Sequence, residues 1–502
     1  MPRDAPLIVG IAGSIRNRAG LDAVEGVDKE VGGSELLELI ENLEHRDIYH
    51  DDFLSEIQSL LLDLSQSHEQ VITNSDALVL TALYGAKDVA EIEFHKLTDY
   101  VGLDKSYAGP EVEHDDLAEL TDVLKRADGL ILGSPVYFGD RSSLMHSFLN
   151  FAAEQNLLDG TVVGMVSCGS KRNGGQETTN VYALFENLMS GALIVGNGPK
   201  TCQYGGTGWG GDIGDVAEDE FGLETSLGTG LRVSQVAEIQ KIANSLDEER
   251  VTESTPNPFE IGVLVTREKD GIVKEAVQNK INRLDDPTVS FNVVDFSDAY
   301  IQACIGCDVC PTPGKVDEIS GDGSDYKCII DERTNEERWQ ADDLQHLHQH
   351  IVGNDALLIA ALDSNDNDIR DVYQGLLERT RYLRRDDWRL HNVPLAAFLV
   401  TDPGQPSTYP MKIMTSWMRH NTIVNQPIIH TRFDTDDAPI DSAARSALEK
   451  HYNAEANEAF ETFVRTAKRL RAAAAQSGPD RLSYKATGYR NKILDSTEAK
   501  RI

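Results

Sequence analysis

One series of five short apolar, β-branched runs separated by helical patterns occurs twice along this chain, and no other feature restricts its fold as strongly. The first series is PLIVGIAGS (6–14), AEIEFHKL (90–97), GLILGSPVYF (129–138), TVVGMVSCG (161–169) and ALIVGNG (192–198). The second is FEIGVLVTR (259–267), VSFNVVDF (289–296), ALLIAAL (356–362), VPLAAFLVTD (393–402) and IVNQPIIH (423–430). Continuous apolar runs without polar alternation mark strands buried on both faces. Helical patterns fill the gaps, such as SSLMHSFLNFAAE and TTNVYALFENLMS in the first half and IRDVYQGLLERTRYL and YPMKIMTSWMRH in the second. Strand–helix alternation with short connections predicts a parallel, doubly wound sheet in each half.

Five strands per half fit the flavodoxin-like order. The expected fold class is α/β: two flavodoxin-like doubly wound parallel five-stranded sheets in tandem, the product of an internal duplication. Each half closes with a long helix, near 225–246 and 441–475. The first domain is expected over 1–247 and the second over 259–476, joined by the polar, Pro-containing linker EERVTESTPNP (248–258), with 477–502 as a tail.

The 502 residues carry a net charge of −36, from 83 acidic and 47 basic side chains. That balance argues against nucleic acid or anionic membranes as partners. The acid is spread along the chain, as on a surface adapted to high salt. No apolar run approaches the ~18 residues of a membrane span. The N-terminus lacks the shape of a signal peptide, so the expected location is cytoplasmic.

In such sheets a ligand sits at the carboxyl ends of the strands, at the switch point in strand order. The first strand ends in Gly13-Ser14-Ile15-Arg16. Ser14 and Arg16 can donate to phosphate oxygens, and a following helix N-terminus adds N–H groups. A plain turn would leave the same signature. The next helix is expected from Thr73-Asn74-Ser75, after an acidic helical segment, 17–72, read as an inserted hairpin. The insertion would split the phosphate loop into Ser14/Arg16 and Asn74/Ser75. The alternative is a true first helix within 17–45.

The third strand runs into Pro135-Val136-Tyr137-Phe138-Gly139, an aromatic pair suited to the edge and face of a flat ring, or to packing on a neighbouring helix. The fourth runs into a loop from Gly169 through Gly174, Gly175, Gln176 and Glu177, where paired glycines allow close backbone approach. Tyr204-Gly205-Gly206-Thr207-Gly208-Trp209-Gly210 is too glycine-rich to be a core element. The segments GSPVYFG, NGGQETT and YGGTGWGGDIGD, in this order, resemble the iron-sulfur flavoproteins of the NAD(P)H-dependent FMN reductase family, over nearly all of 1–246 apart from the insertion. The resemblance implies an FMN-dependent oxidoreductase or electron-transfer flavoprotein. Ser14, Arg16, Asn74 and Ser75 would hold the FMN phosphate, residues 135–139 the isoalloxazine ring with the 169–177 loop nearby, and Tyr204 and Trp209 would help cover it. NAD(P)H or a ferredoxin-type protein would be the electron partner, and a homo-oligomer is possible.

That family carries a compact cysteine cluster after its second strand. Here the place (97–120) has no cysteine. The corresponding place in the second half holds Cys304, Cys307, Cys310 and Cys328: C-x2-C-x2-C with a fourth cysteine eighteen positions on. Closely spaced thiolates with a distant fourth suit a [4Fe–4S] cluster; four thiolates also suit structural zinc; thiols without metal are the third reading. The second half meanwhile lacks the flavin loops: its strands end in Thr266-Arg267-Glu268, Asp363-Ser364-Asn365-Asp366 and Asp402-Pro403-Gly404, and two of those carboxylates would repel an anionic cofactor. FMN in one half and a one-electron centre in the other would make a two-to-one electron converter. His346, His348 and His350 read as solvated or capping residues, Cys168 and Cys202 as small apolar ones, and Trp339, Trp388 and Trp417 as packing residues.

Overall fold

A computed structural model describes residues 5–14, 33–43, 54–66, 72–103, 116–198, 203–306, 328, 330, 342–364, 366, 368–384, 389–402, 408–433 and 442–476. The chain divides into two compact units, Met1–Ser245 and Leu246–Ile502.

In the first unit β1 (Leu7–Ala12), β2 (Glu91–Lys96), β3 (Gly129–Pro135), β4 (Val162–Gly169) and β5 (Leu193–Ile194) pair in parallel. Their order is β2-β1-β3-β4-β5. The order reverses between β1 and β3, so the carboxyl ends of those strands form the switch point. β4, VVGMVSCG, is buried along its whole length, as a strand covered on both faces must be.

Two helices, α1 (Gly33–Glu41) and α2 (Ser55–Gln66), lie within the segment read as an insertion. The helix on β1 and β3 is the next one, α3 (Asn74–Ala86). Thr73 and Asp76 form its capping box, and all thirteen residues are buried. α1 rests on β2 and α3. α2 rests on the turn Asp215–Glu218, where Gln58 Nε2 donates to Ala217 O at 3.0 Å, and it also touches α3. The remaining helices of the unit are α4 (Asp116–Arg126), α5 (Ser143–Glu154), α6 (Gln176–Met189) and α7 (Glu220–Ser245).

The glycine-rich run after β5 departs from its expected character. Gly206–Trp209 is a largely buried strand, β6, parallel to β4 with Gly169 opposite Trp209. A β-carbon on Gly206 would meet Ser226 Oγ at 2.4 Å, and one on Gly208 would meet Leu78 at 2.7 Å. The absent side chains let this strand lie directly against α7 and α3, so its glycines signal close packing instead of a loop.

The second unit repeats the order with β7 (Phe259–Arg267), β8 (Val289–Asp295), β9 (Ala356–Asp363), β10 (Pro394–Thr401) and β11 (Ile423–Val424), as β8-β7-β9-β10-β11. The run expected as one strand over 423–430 is broken. β12 (Ile428–Thr431) rejoins β10 after Gln426-Pro427, since proline has no N–H for the ladder. Each unit therefore interrupts its fifth strand and resumes pairing with the fourth further along.

The stretch expected as a linker contains a helix, α8 (Glu248–Ser254). Asp247 caps it by accepting from Arg250 N at 2.9 Å, and it packs on the closing helix of the second unit, Ser442–Gln476. Its sequence is polar because only Val251 is buried. Between these come α9 (Ile272–Arg283), α10 (Leu344–Val352), α11 (Tyr373–Arg379) and α12 (Tyr409–Met418); the closing helix is α13. Among the described residues, no helix is long and apolar enough to cross a membrane.

Candidate functional site

Three loops of the first unit converge at the carboxyl edge of its sheet. Beyond β3, Val136 N–H donates to Cys168 O at 2.9 Å, which carries the chain across the end of β4. Tyr137 and Asp140 then exchange N–H···O bonds of 2.7 and 3.0 Å. Phe138 and Gly139 between them have φ of 54° and 81°, the pattern of a type I′ turn. Positive φ is unfavourable for a bulky aromatic residue. Here it swings the Phe138 ring fully into solvent and leaves Tyr137 half exposed.

Gly175, with φ of 106°, is the N-cap of α6, and its backbone lies against Gly139. Gln176 is buried and donates to Lys171 O at 2.8 Å and Gly208 O at 3.0 Å, tying the loop after β4 to β6. Gly210 N–H completes the connection on Gly169 O at 3.0 Å. Trp209 is partly exposed beside this junction, Glu177 faces solvent, and Tyr204 is half buried ahead of β6.

Two fasteners of these loops were not expected from the sequence. Asp219 is buried and accepts from Trp209 N–H at 2.8 Å and from the Arg172 guanidinium, which also donates to Thr207 O at 3.0 Å. Arg141 is buried after the 137–140 turn and donates to Asp140 at 3.0 Å, to His146 Nδ1 at 2.7 Å and to Glu186. Arg172 lies inside a motif the sequence offered, but its partner is 47 positions away and gives no local signal.

At the other end of the site, Gly13 N–H donates to Gly133 O at 2.8 Å, and Gly13 O accepts from Ser142 Oγ at 2.7 Å. Ser14 follows, half buried; Arg16 lies outside the described residues. Asn74 and Ser75 open α3, where first-turn N–H groups lack acceptors within the helix. The Asn74 side chain is committed elsewhere. Its amide donates to Gly210 O at 3.3 Å and Asp212 O at 2.8 Å, and its carbonyl oxygen accepts from Gly214 N–H at 2.9 Å. It holds the loop after β6, leaving Ser14, the Ser75 hydroxyl and the N–H groups of Asn74 and Ser75 as the donors for an anion among the described residues.

A family model for the NADPH-dependent FMN reductases matches residues 71–199. An iron-sulfur flavoprotein of Methanocaldococcus jannaschii is 39% identical over 132 residues, 25% of this chain and 67% of that protein. The chain belongs to the FMN reductase family. A second relative, an iron-sulfur flavoprotein of Archaeoglobus fulgidus, is 30% identical over 130 residues, again 25% of this chain and 67% of its own length. Among solved structures, a WrbA-like flavodoxin of Agrobacterium tumefaciens aligns with 46% of this chain and 98% of its own at 15% identity and a TM-score of 0.25. Family membership places the chain among the oxidoreductases. The matched region starts two residues ahead of Thr73, the cap of α3, and leaves out most of the segment read as the insertion.

Among the described residues, Arg267 lies across the corresponding edge of the second unit. Arg267, largely buried, donates to Leu362 O at 3.2 Å and Asp366 O at 2.7 Å, with Tyr409 beside its guanidinium. Asp366 pairs with Lys269 at 2.6 Å, so its charge is compensated. Burial raises the Asp363 carboxyl above its usual range, favouring the neutral form.

Of the four clustered cysteines, Cys304 and Cys328 are described, and Cys307 and Cys310 lie outside the described residues. Cys328 is buried in an apolar cluster with Ile330, Leu344 and Tyr382, against which Ile305 also packs. Cys304 N–H donates to Glu378 at 3.2 Å. The histidine run is structural: His348 is buried on α10 against the Tyr382 hydroxyl, and His350 Nδ1 meets Asn292 Nδ2 at 2.9 Å. Cys168 is buried at the end of β4, and Trp417 is fully buried in the second unit's core; Cys202, Trp339 and Trp388 lie outside the described residues.

Proposed function

We propose that this protein is an FMN-dependent electron-transfer oxidoreductase with FMN in its first unit and a metal–thiolate centre in its second. The observation that carries the reading is the convergence of the 135–140, 169–176 and 206–210 segments at one sheet edge, fastened by Gln176, Arg172 and Asp219. The residues present fit the group. Gly139 has open space on the side where a β-carbon would lie, exposed backbone and aromatic edges surround it, and hydroxyl and helix N–H donors sit at the β1 end. Ser14, Arg16 and Ser75 would hold the phosphate. Asn74 would set the loop after β6, and Pro135–Gly139 would meet the edge of the ring, with Gly169, Gly174 and Gly175 keeping side chains away from it. Tyr204 and Trp209 would shield it.

FMN, when bound, would supply two-electron to one-electron chemistry, and Cys304, Cys307, Cys310 and Cys328 would hold an iron–sulfur cluster as a one-electron centre. The chain's own residues position these groups, exclude water and set the local field; no side chain is needed as a general acid or base. NAD(P)H is the proposed donor.

An absorbance spectrum of anaerobically purified protein, before and after dithionite, tests the cofactor content. Flavin bands with bleachable iron–sulfur absorbance and acid-labile sulfide are expected. Zinc without sulfide overturns the cluster and leaves a structural site. Anaerobic stopped-flow with NADPH and NADH tests the donor: fast flavin bleaching is expected, and its absence points to a carrier fed by a ferredoxin-type protein.

A further inference from the structure

Cys304 and Cys328 are distant in sequence, and one buried side chain ties their segments together. Arg379, the last residue of α11, and Asp342 are both 0% exposed and form an ion pair. The Arg379 guanidinium also donates to Gln302 O at 3.3 Å and to Ile330 O at 2.9 Å. Gln302 lies two residues before Cys304, and Ile330 two residues after Cys328. The Asp342 carboxylate accepts from Gln302 N–H at 3.0 Å and from Leu344 N–H at 3.3 Å, at the start of α10. Glu378, next to Arg379, accepts from Cys304 N–H. The last turn of α11 thus grips the first cysteine's segment twice and the fourth cysteine's segment once.

A buried ion pair is a poor way to gain stability, because desolvating two charges offsets most of their attraction. What it supplies is direction. A planar guanidinium offers five donors in a fixed fork and can bond one carboxylate and two carbonyls together, which a lysine ammonium cannot match in geometry. An apolar pair would fill the volume but would hold neither carbonyl.

We propose that Arg379 and Asp342 are positioning residues for the thiolate centre, holding the segments of its first and fourth cysteines together before metal arrives. The proposal rests on the reading of the four cysteines as one metal centre. Four thiolates must meet one small ion or cluster, and segments already fixed by hydrogen bonds lose little further freedom when they do. The pair is not a ligand; it acts through the backbone on either side of the ligands.

Two variants test this. Arg379→Met/Asp342→Leu removes both charges together, so no buried charge is left unpaired. Arg379→Lys keeps the charge and loses the fork. The first readout is metal-free: alkylation of Cys304 and Cys328 in reduced apoprotein, mapped by mass spectrometry. The second is the rate at which a chelator strips metal from loaded protein. Both variants are expected to alkylate Cys328 and to lose metal roughly tenfold faster than wild type, as for loss of one or two buried hydrogen bonds. Bound flavin should stay unchanged, and the melt should stay cooperative with at most a modest downward shift. If both variants match wild type in alkylation and in metal loss, the pair has a packing role only and the proposal fails. If the double variant melts out, Arg379→Lys decides alone on the same two readouts. Wild-type protein that takes up neither iron nor zinc overturns the metal reading and this proposal with it, whereas normal uptake with unaffected variants overturns the pair's role alone.

Discussion

A β-carbon placed on Gly175 would lie 2.7 Å from the Cα of Gly139, so the loops that follow β3 and β4 meet backbone to backbone. Gly175 also has a φ of 106°. Both facts demand glycine, one for space and one for conformation. The contact makes one continuous rim out of two loops that are 36 residues apart in sequence.

Gly175→Ala should therefore separate the loops. The expected result is at least a roughly tenfold weaker FMN affinity, with a stability loss of about 1–3 kcal/mol from backbone strain. Fluorescence titration of the apoprotein with FMN measures the first, and a denaturant melt the second.

Asn74 offers a contrasting test. Its side chain makes four hydrogen bonds to the segment after β6 and none is expected with phosphate. Asn74→Ala should cost about 2 kcal/mol by leaving buried backbone groups unpaired. Asn74→Asp keeps the acceptor for Gly214 N–H but sets a carboxylate against the carbonyls of Gly210 and Asp212, and should be worse than alanine. Thermal melts of the three proteins rank them. Equal stability of alanine and aspartate would contradict the hydrogen-bond assignment.

His348 sets a pH dependence in the second unit. Burial lowers its folded-state pKa from 6.5 to about 4, and burial also lowers that of His420. The folded protein then binds fewer protons than the unfolded chain between those values. The associated stability is complete above about pH 6.5 and declines as pH falls toward 4, by up to about 3 kcal/mol for His348. Urea melts from pH 7 to 5 should show the decline, and His348→Leu should flatten it.

If the four cysteines hold the proposed centre, loss of a single thiolate should strip its metal and spare the flavin. Cys307→Ser and Cys310→Ser are each expected to lower bound metal well below one centre (four irons or one zinc) per chain while FMN stays stoichiometric. Metal analysis beside the flavin absorbance of the same sample checks this. Loss of FMN together with metal would contradict independent sites.

The charge of −36 predicts a further response. Like charges spread over a surface repel in the compact state, and salt screens them with a Debye length of about 3 Å at 1 M. The melting temperature should rise steadily with potassium chloride from low to molar concentrations. A flat response would remove the high-salt reading of the composition.

Much of this was legible along the chain because buried parallel strands announce themselves. β1, β3, β4, β7 and β10 fall within the apolar runs read from the sequence, and β9 exceeds its run by one residue, since a strand covered on both faces has no polar alternation to blur it. The start of α3 was read at Thr73-Asn74-Ser75, and the structure places the local capping box of Thr73 and Asp76 there. The misread pieces share a cause. β6 looks like a loop because its glycines answer to α7 and α3, and α8 looks like a linker because only Val251 is buried.

By itself the sequence determined which residue types are present at each strand end: glycines and aromatics in the first unit, cysteines and carboxylates in the second. Those follow from local spacing and from strand periodicity. Only the tertiary structure decided how they are held. It committed Asn74 to a loop, made Asp219 the anchor of Trp209 and Arg172, laid Arg267 across the second unit's edge, and closed Arg379 and Asp342 around the cysteine segments. Each depends on a hydrogen bond between residues tens to more than a hundred positions apart. Such a bond forms only after packing has brought the partners together, so no local pattern can encode it.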